Sequence, residues 1–88
     1  MYNVYYVYIL LSRDSSKNPT YVGYTKNLTN RLKLHNSSKG AKFTRGRLWE
    51  IIYKKPYKSK VLAMKNEYML KKDVKKRKKI KNKYLNKI

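Results

Sequence analysis

The chain has 88 residues, of which 24 are Lys or Arg and four are Asp or Glu, giving a formal net charge of +20 and a pI near 10.3. The absence of cysteine excludes a disulfide framework and a thiolate metal site. The length argues for a single domain, 1–88, with a modest core.

The N-terminal "MYNVYYVYILLS" has neither the basic start nor the small-residue cleavage site of a secretory signal, and its apolar run is too short to span a bilayer. A soluble protein of the cytoplasm is expected, associated with the nucleoid or, in a eukaryotic host, nuclear. Residues 4–11, "VYYVYILL", are aromatic and β-branched and read as a strand. Alternation puts Tyr6, Tyr8 and Leu10 on one face and Tyr5, Val7, Ile9 and Leu11 on the other. "SRDSSKNP" is a loop by composition. "TYVGYT", 20–25, is a second short strand, antiparallel to the first. Asn27 is a good N-cap for a helix running to about Asn36. "SSKGAKFTRGR" is polar and glycine-containing, hence a loop. "LWEIIYKK" is a third strand, closed by Pro56. Ser59 caps a helix over 60–72, and Asp73 caps a basic helix over about 73–88, where Ile80, Tyr84 and Ile88 recur every four residues. The order β-β-α-β-α-α makes an α+β domain, a small three-stranded antiparallel sheet flanked by helices.

A surface this basic attracts a polyanion, and nucleic acid is the commonest. Codon bias toward A+T accounts for Lys in place of Arg, but not for the scarcity of acids. An anionic membrane fits less well, because no stretch pairs a basic face with a broad apolar one. The loop "KGAKFTRGR" interleaves Lys39, Lys42, Thr44, Arg45 and Arg47 with two glycines, a composition suited to phosphate contact. The lysine-rich tail reads as a solvated helix face that adds backbone affinity.

On the first helix Leu28, Arg31, Leu32 and the sole histidine, His35, share one face at i, i+3, i+4 and i+7. An arginine on an otherwise inward stripe is costly unless an anion meets it; the plain alternative is that it snorkels to solvent. Each acid can be judged in turn. Asp14 is in a loop, Glu50 is in a strand beside Trp49, and Asp73 is a cap. Glu67, flanked by Ala63 and Leu70, faces inward. A single carboxylate suits one hard ion completed by water and substrate phosphate, whereas a two-metal site needs clustered acids. A base would then be drawn from the ten tyrosines. Their ordinary pKa near 10 is lowered when a cation favours the phenolate, a shift that a charge of +20 makes easy to arrange.

Tyr6-Val7-Tyr8, Tyr21-Val22-Gly23, Arg31, His35 and Glu67, in this order, resemble a GIY-YIG nuclease domain of the stand-alone branch. Such domains are similar to the N-terminal catalytic domain of the incising excinuclease component and to homing-endonuclease catalytic domains. The resemblance runs from about Tyr5 to Lys72 and includes "HNSSKGAKFTRGRLWEIIY". It implies a metal-dependent DNA endonuclease. Tyr8 and Tyr21 would lie side by side, one of them orienting or deprotonating the attacking water. Arg31 would stabilise phosphoryl charge, His35 would lie near the scissile phosphate, and Glu67 would hold one Mg²⁺ or Mn²⁺. Tyr24 lies beside these, with the basic loop as nucleic-acid contacts. The first motif opens with Tyr6 rather than glycine, as in many stand-alone relatives. With no attached targeting domain, cleavage is expected to be structure-selective or single-strand-directed unless a protein partner or homodimer adds specificity. The alternative is a non-catalytic nucleic-acid-binding module on the same surface. DNA against RNA, and single-stranded against branched or duplex substrate, stay open.

Binding to a polyanion is expected to weaken steeply with salt. The log–log slope is several units if loop and tail reach about four to eight phosphates; a flat response in a salt titration would sink the polyanion reading.

Overall fold

The computed structural model describes residues 4–14 and 16–87. Three strands, β1 (Tyr5–Ser12), β2 (Thr20–Thr25) and β3 (Trp49–Tyr57), form one sheet in the order β2-β1-β3, with both pairings antiparallel. Three α-helices accompany them, α1 (Leu28–Asn36), α2 (Lys60–Lys72) and α3 (Val74–Leu85). The expected α+β class and the order β-β-α-β-α-α hold. Ile88 lies outside the described residues.

β1 is central because its residues are apolar on both faces. Val7 and Ile9 pack with Val22, Ala63 and Leu70 on the side covered by α2 and α3. Tyr8 and Leu10 pack with Trp49, Leu28, Leu32 and Tyr21 on the α1 side. The alternation read from the sequence therefore puts Tyr5, Val7 and Ile9 in one layer and Tyr8 and Leu10 in the other, as found. The register of β1 against β3 slips between Ile9 and Leu10, whose partners are Tyr53 and Ile51. This bulge turns both Ile52 and Tyr53 onto the α2–α3 side, which strict alternation would have split.

The helix starts follow from their caps. The Asn27 side chain accepts from the Asn30 N–H, Ser59 from Leu62, and Asp73 from Lys76. Each satisfies an amide that the first turn leaves without a partner. Asp73 also ends α2, and Arg77 donates to the Leu70 and Lys71 carbonyls, so one turn of α3 closes the C-terminus of α2. The half-exposed Glu50 accepts from Arg13 and Tyr84 and ties α3 to β3.

Two expectations need correction. Pro56 does not close β3; it lies within it, opposite Tyr6. β3 is an edge strand, and there a residue without an N–H leaves no central ladder broken. The segment after α1 is not a plain polar loop either. It contains a 3₁₀ turn at Lys42–Thr44 and delivers a fully buried residue, Thr44, to the core.

Ile9 is 0 % exposed at the middle of β1. Ile9→Ala is expected to cost about 2–5 kcal/mol, seen as a lower urea midpoint at unchanged slope.

Candidate active site

A cleft of about 450 Å³ opens where β1, β2, α1 and α2 meet, lined by Tyr8, Tyr21, Gly23, Tyr24, Arg31 and Glu67 together with Tyr5, Lys26, Asn27 and Lys60. β1 and β2 set Tyr8 opposite Gly23 in their register. A Cβ at residue 23 would stand 2.6 Å from Tyr8 Cζ, far inside contact distance, so glycine is what lets the ring lie across β2. α1 carries Arg31 to the cleft, and α2 carries Glu67.

Arg31 is exposed at the border of a helix face whose other members, Leu28, Leu32 and His35, turn inward. Among the described residues no carboxylate forms an ion pair with it. Lys26, Arg31 and Lys60 thus face the cleft against the single carboxylate of Glu67, which meets Lys71 at 3.5 Å. Such a cleft favours an anion. No group of three or more His, Cys, Asp or Glu side chains lies together among the described residues. One carboxylate among hydroxyl and amide oxygens fits a single hard cation, with water and a phosphate completing its shell. It does not fit a two-metal site.

His35 does not line the cleft. It is 1 % exposed and sits behind Tyr8, whose hydroxyl lies 3.1 Å from Nε2. On the other side Nδ1 lies 2.8 Å from the Thr44 hydroxyl, and that hydroxyl is 2.8 Å from the Ala41 carbonyl. The carbonyl can only accept, which fixes every proton in the chain. Thr44 donates to Ala41 and accepts from Nδ1–H. In the neutral imidazole Nε2 is then the bare nitrogen, and Tyr8 O–H donates to it. Gly40 permits this arrangement, since a Cβ there would be 2.5 Å from Nδ1. Around it, the Asn36 side chain pairs with both backbone groups of Trp49, at 2.6 and 3.2 Å. The Trp49 indole N–H donates to the Thr44 carbonyl at 2.9 Å.

Burial pushes the Tyr8 phenol well above its ordinary value, with Tyr21 adding to the rise and Arg31 opposing it. The sequence-based expectation of an easily formed phenolate therefore fails for Tyr8. At 2 % exposure the loss of water outweighs the nearby cation. Burial, and then Arg31, push His35 below its ordinary value, so it is a neutral acceptor at neutral pH.

Thr44 is likewise withdrawn from the expected nucleic-acid contacts. It is 0 % exposed with its hydroxyl fully engaged, and it holds His35. Lys39, Lys42 and Arg45 are exposed and Arg47 is half-buried; none of the four lines the cleft. Sequence reasoning missed Lys26 and Lys60. Lys60 was findable, because it precedes Glu67 by seven residues and so shares its helix face. Gly40 and Asn36 gave no signal, since their roles exist only once the loop folds back on α1.

Comparison with known proteins bears on this constellation. The sequence profile of the GIY-YIG catalytic domain matches residues 4–84. A UPF0213 protein of Oceanobacillus iheyensis is 50% identical over 68 residues, covering 76% of each chain. One from Bacillus licheniformis is 46% identical over 71 residues, covering 80% of this chain and 70% of that one. The solution NMR structure of a UPF0213 protein from Bacillus halodurans is 38% identical, covers 86% of this chain and 79% of that chain, and superposes with a TM-score of 0.48.

Because the folded pKa of His35 lies below the ordinary 6.5, the unfolded chain binds more protons just below that pH. The contribution of His35 to stability is complete above about pH 6.5 and is lost as pH falls through its lowered folded value. As the only histidine, it owns that window, and His35→Gln is expected to flatten the stability profile there. ¹⁵N NMR at neutral pH is expected to show protonated Nδ1 and bare Nε2; the opposite tautomer would overturn the proton assignment.

Proposed function

The chain belongs to the family of GIY-YIG catalytic domains, and on that premise we propose that it is a divalent-metal-dependent endonuclease hydrolysing phosphodiester bonds of DNA. The observation that carries this reading is the meeting of Tyr8, Tyr21, Arg31 and Glu67, from four different elements, on one cation-lined cleft. Low sequence specificity follows from a surface whose cations act on the phosphate backbone alike in every sequence, and the proposal includes a structure-selective or single-strand-directed preference. Among the described residues no helix is long and apolar enough to cross a membrane, and we place the protein with its substrate in the cytoplasm.

In the proposed reaction a water oxygen forms the new bond to phosphorus while the bond to the leaving sugar oxygen breaks. Arg31, free of any carboxylate partner among the described residues, meets the charge that grows on the phosphoryl oxygens. Tyr8 takes the water proton as its own passes to His35 Nε2, the acceptor it already faces at 3.1 Å. A neutral phenol in this way serves as a base without first becoming a phenolate. Thr44 steadies the imidazolium through Nδ1–H. The leaving oxygen takes a proton from solvent. Glu67 would hold a single Mg²⁺ or Mn²⁺, which supplies Lewis-acid stabilisation of the leaving oxygen. Tyr21 flanks the water and is the other candidate for orienting it.

The burial that raises the Tyr8 phenol also supports a second reading, a non-catalytic module that binds nucleic acid in this cleft. The two part on turnover. Glu67→Ala is expected to abolish Mg²⁺- or Mn²⁺-dependent cleavage of labelled single-stranded, duplex and branched DNA with binding nearly intact. Arg31→Ala is expected to lower kcat about 10²–10³-fold. Wild-type cleavage in Glu67→Ala would sink the site; tight binding with no cleavage of any substrate would favour the module.

A further inference from the structure

Phe43 is 54 % exposed, a large aromatic side chain left open to solvent in the basic segment between α1 and β3. Its surroundings hold it in place. The Tyr21 ring lies nearly parallel to it, at 21° and 6.4 Å between centroids, and Trp49 leans on it at 6.1 Å. The Arg47 guanidinium sits over it, 5.6 Å from the ring centre. The 3₁₀ turn anchored by the buried Thr44 fixes its backbone. Tyr21 is shared: it lines the cleft and stacks on Phe43. The exposed ring is thus one aromatic neighbour away from where a scissile phosphate would sit.

We propose that Phe43, with Arg47, is a stacking platform for an unpaired nucleobase next to the phosphate held in the cleft. This inference rests on the nucleic-acid reading above and narrows it to substrates with a free base at that point. The chemistry is specific in two ways. The ring is flanked by exposed Lys39, Lys42 and Arg45, which draw a phosphate chain along the loop, and any base has a π-face to offer an aromatic ring. A base inside a duplex has both faces covered by its neighbours and cannot use this platform. Arg47, already over the ring, adds a flat cation to the same stack. The loop cations act on phosphate and treat every strand alike, whereas Phe43 discriminates.

The test uses the wild-type chain with chelator present, so that binding is read without cleavage. Fluorescence anisotropy with labelled oligothymidylate, and with the same strand paired to oligoadenylate, gives affinities for single strand and duplex. Phe43→Ala is expected to weaken single-strand binding about 5- to 100-fold and duplex binding less than twofold. Phe43→Leu, which keeps the apolar packing on Trp49, should lose the same preference, and Phe43→Trp should restore it. Lys42→Ala should weaken both substrates equally. Equal losses on both substrates in Phe43→Leu, or no loss on either, would overturn the platform. A chain that keeps this selectivity but cuts nothing with Mg²⁺ or Mn²⁺ would refute the nuclease and leave the platform standing.

Discussion

The hydrogen bond between Tyr8 and His35 organises much of what surrounds it. Both side chains are buried, so each polar atom needs a partner, and the cost of failing is that of an orphaned group in a dry interior. Two positions are glycine because these rings pass where a Cβ would otherwise stand, one in β2 and one in the loop after α1. The 3₁₀ turn exists where it can bring Thr44 under the imidazole. Asn36 and Trp49 then fasten the end of α1 to the start of β3, which closes the loop that holds the turn. A short chain with a small core has placed its sole histidine at the junction of α1, β1 and this loop.

Electrostatics divides the molecule differently. With four acids in the chain, most cations have no carboxylate to meet, and the acids that exist have assigned places. Asp73 caps α3 and Glu50 ties α3 to the sheet. Asp14 receives the Leu48 N–H, and Glu67 alone faces the cleft. Arg31, Lys26 and Lys60 therefore present charge that only something from outside the fold can balance.

The elements of this fold were legible because their signals are local. Caps at Asn27, Ser59 and Asp73, and the two-faced apolar run of β1, need no knowledge of distant residues. Glu67 was legible for a similar reason, as a lone acid between Ala63 and Leu70 on an inward helix face. What escaped reading depends on tertiary closure. The position of His35 behind Tyr8, the withdrawal of Thr44 and the direction of the Tyr8 shift all follow from burial, which a sequence shows only for regular periodic elements. Pro56 was misread because a proline ends a strand in most contexts but is tolerated on an edge, and edge position is a property of the sheet.

That edge has a consequence for how the protein behaves in number. A chain of charge +20, drawn to a polyanion, would meet its own copies there at local concentrations above the bulk. An open strand edge under such crowding invites strand-to-strand pairing and aggregation. β3 is one of the two edges of the sheet, and it runs through Lys54, Lys55 and Pro56. The two charges repel a like neighbour, and the proline supplies no N–H for a new ladder. The residue that interrupts the pattern of β3 thereby disfavours pairing between copies along this edge.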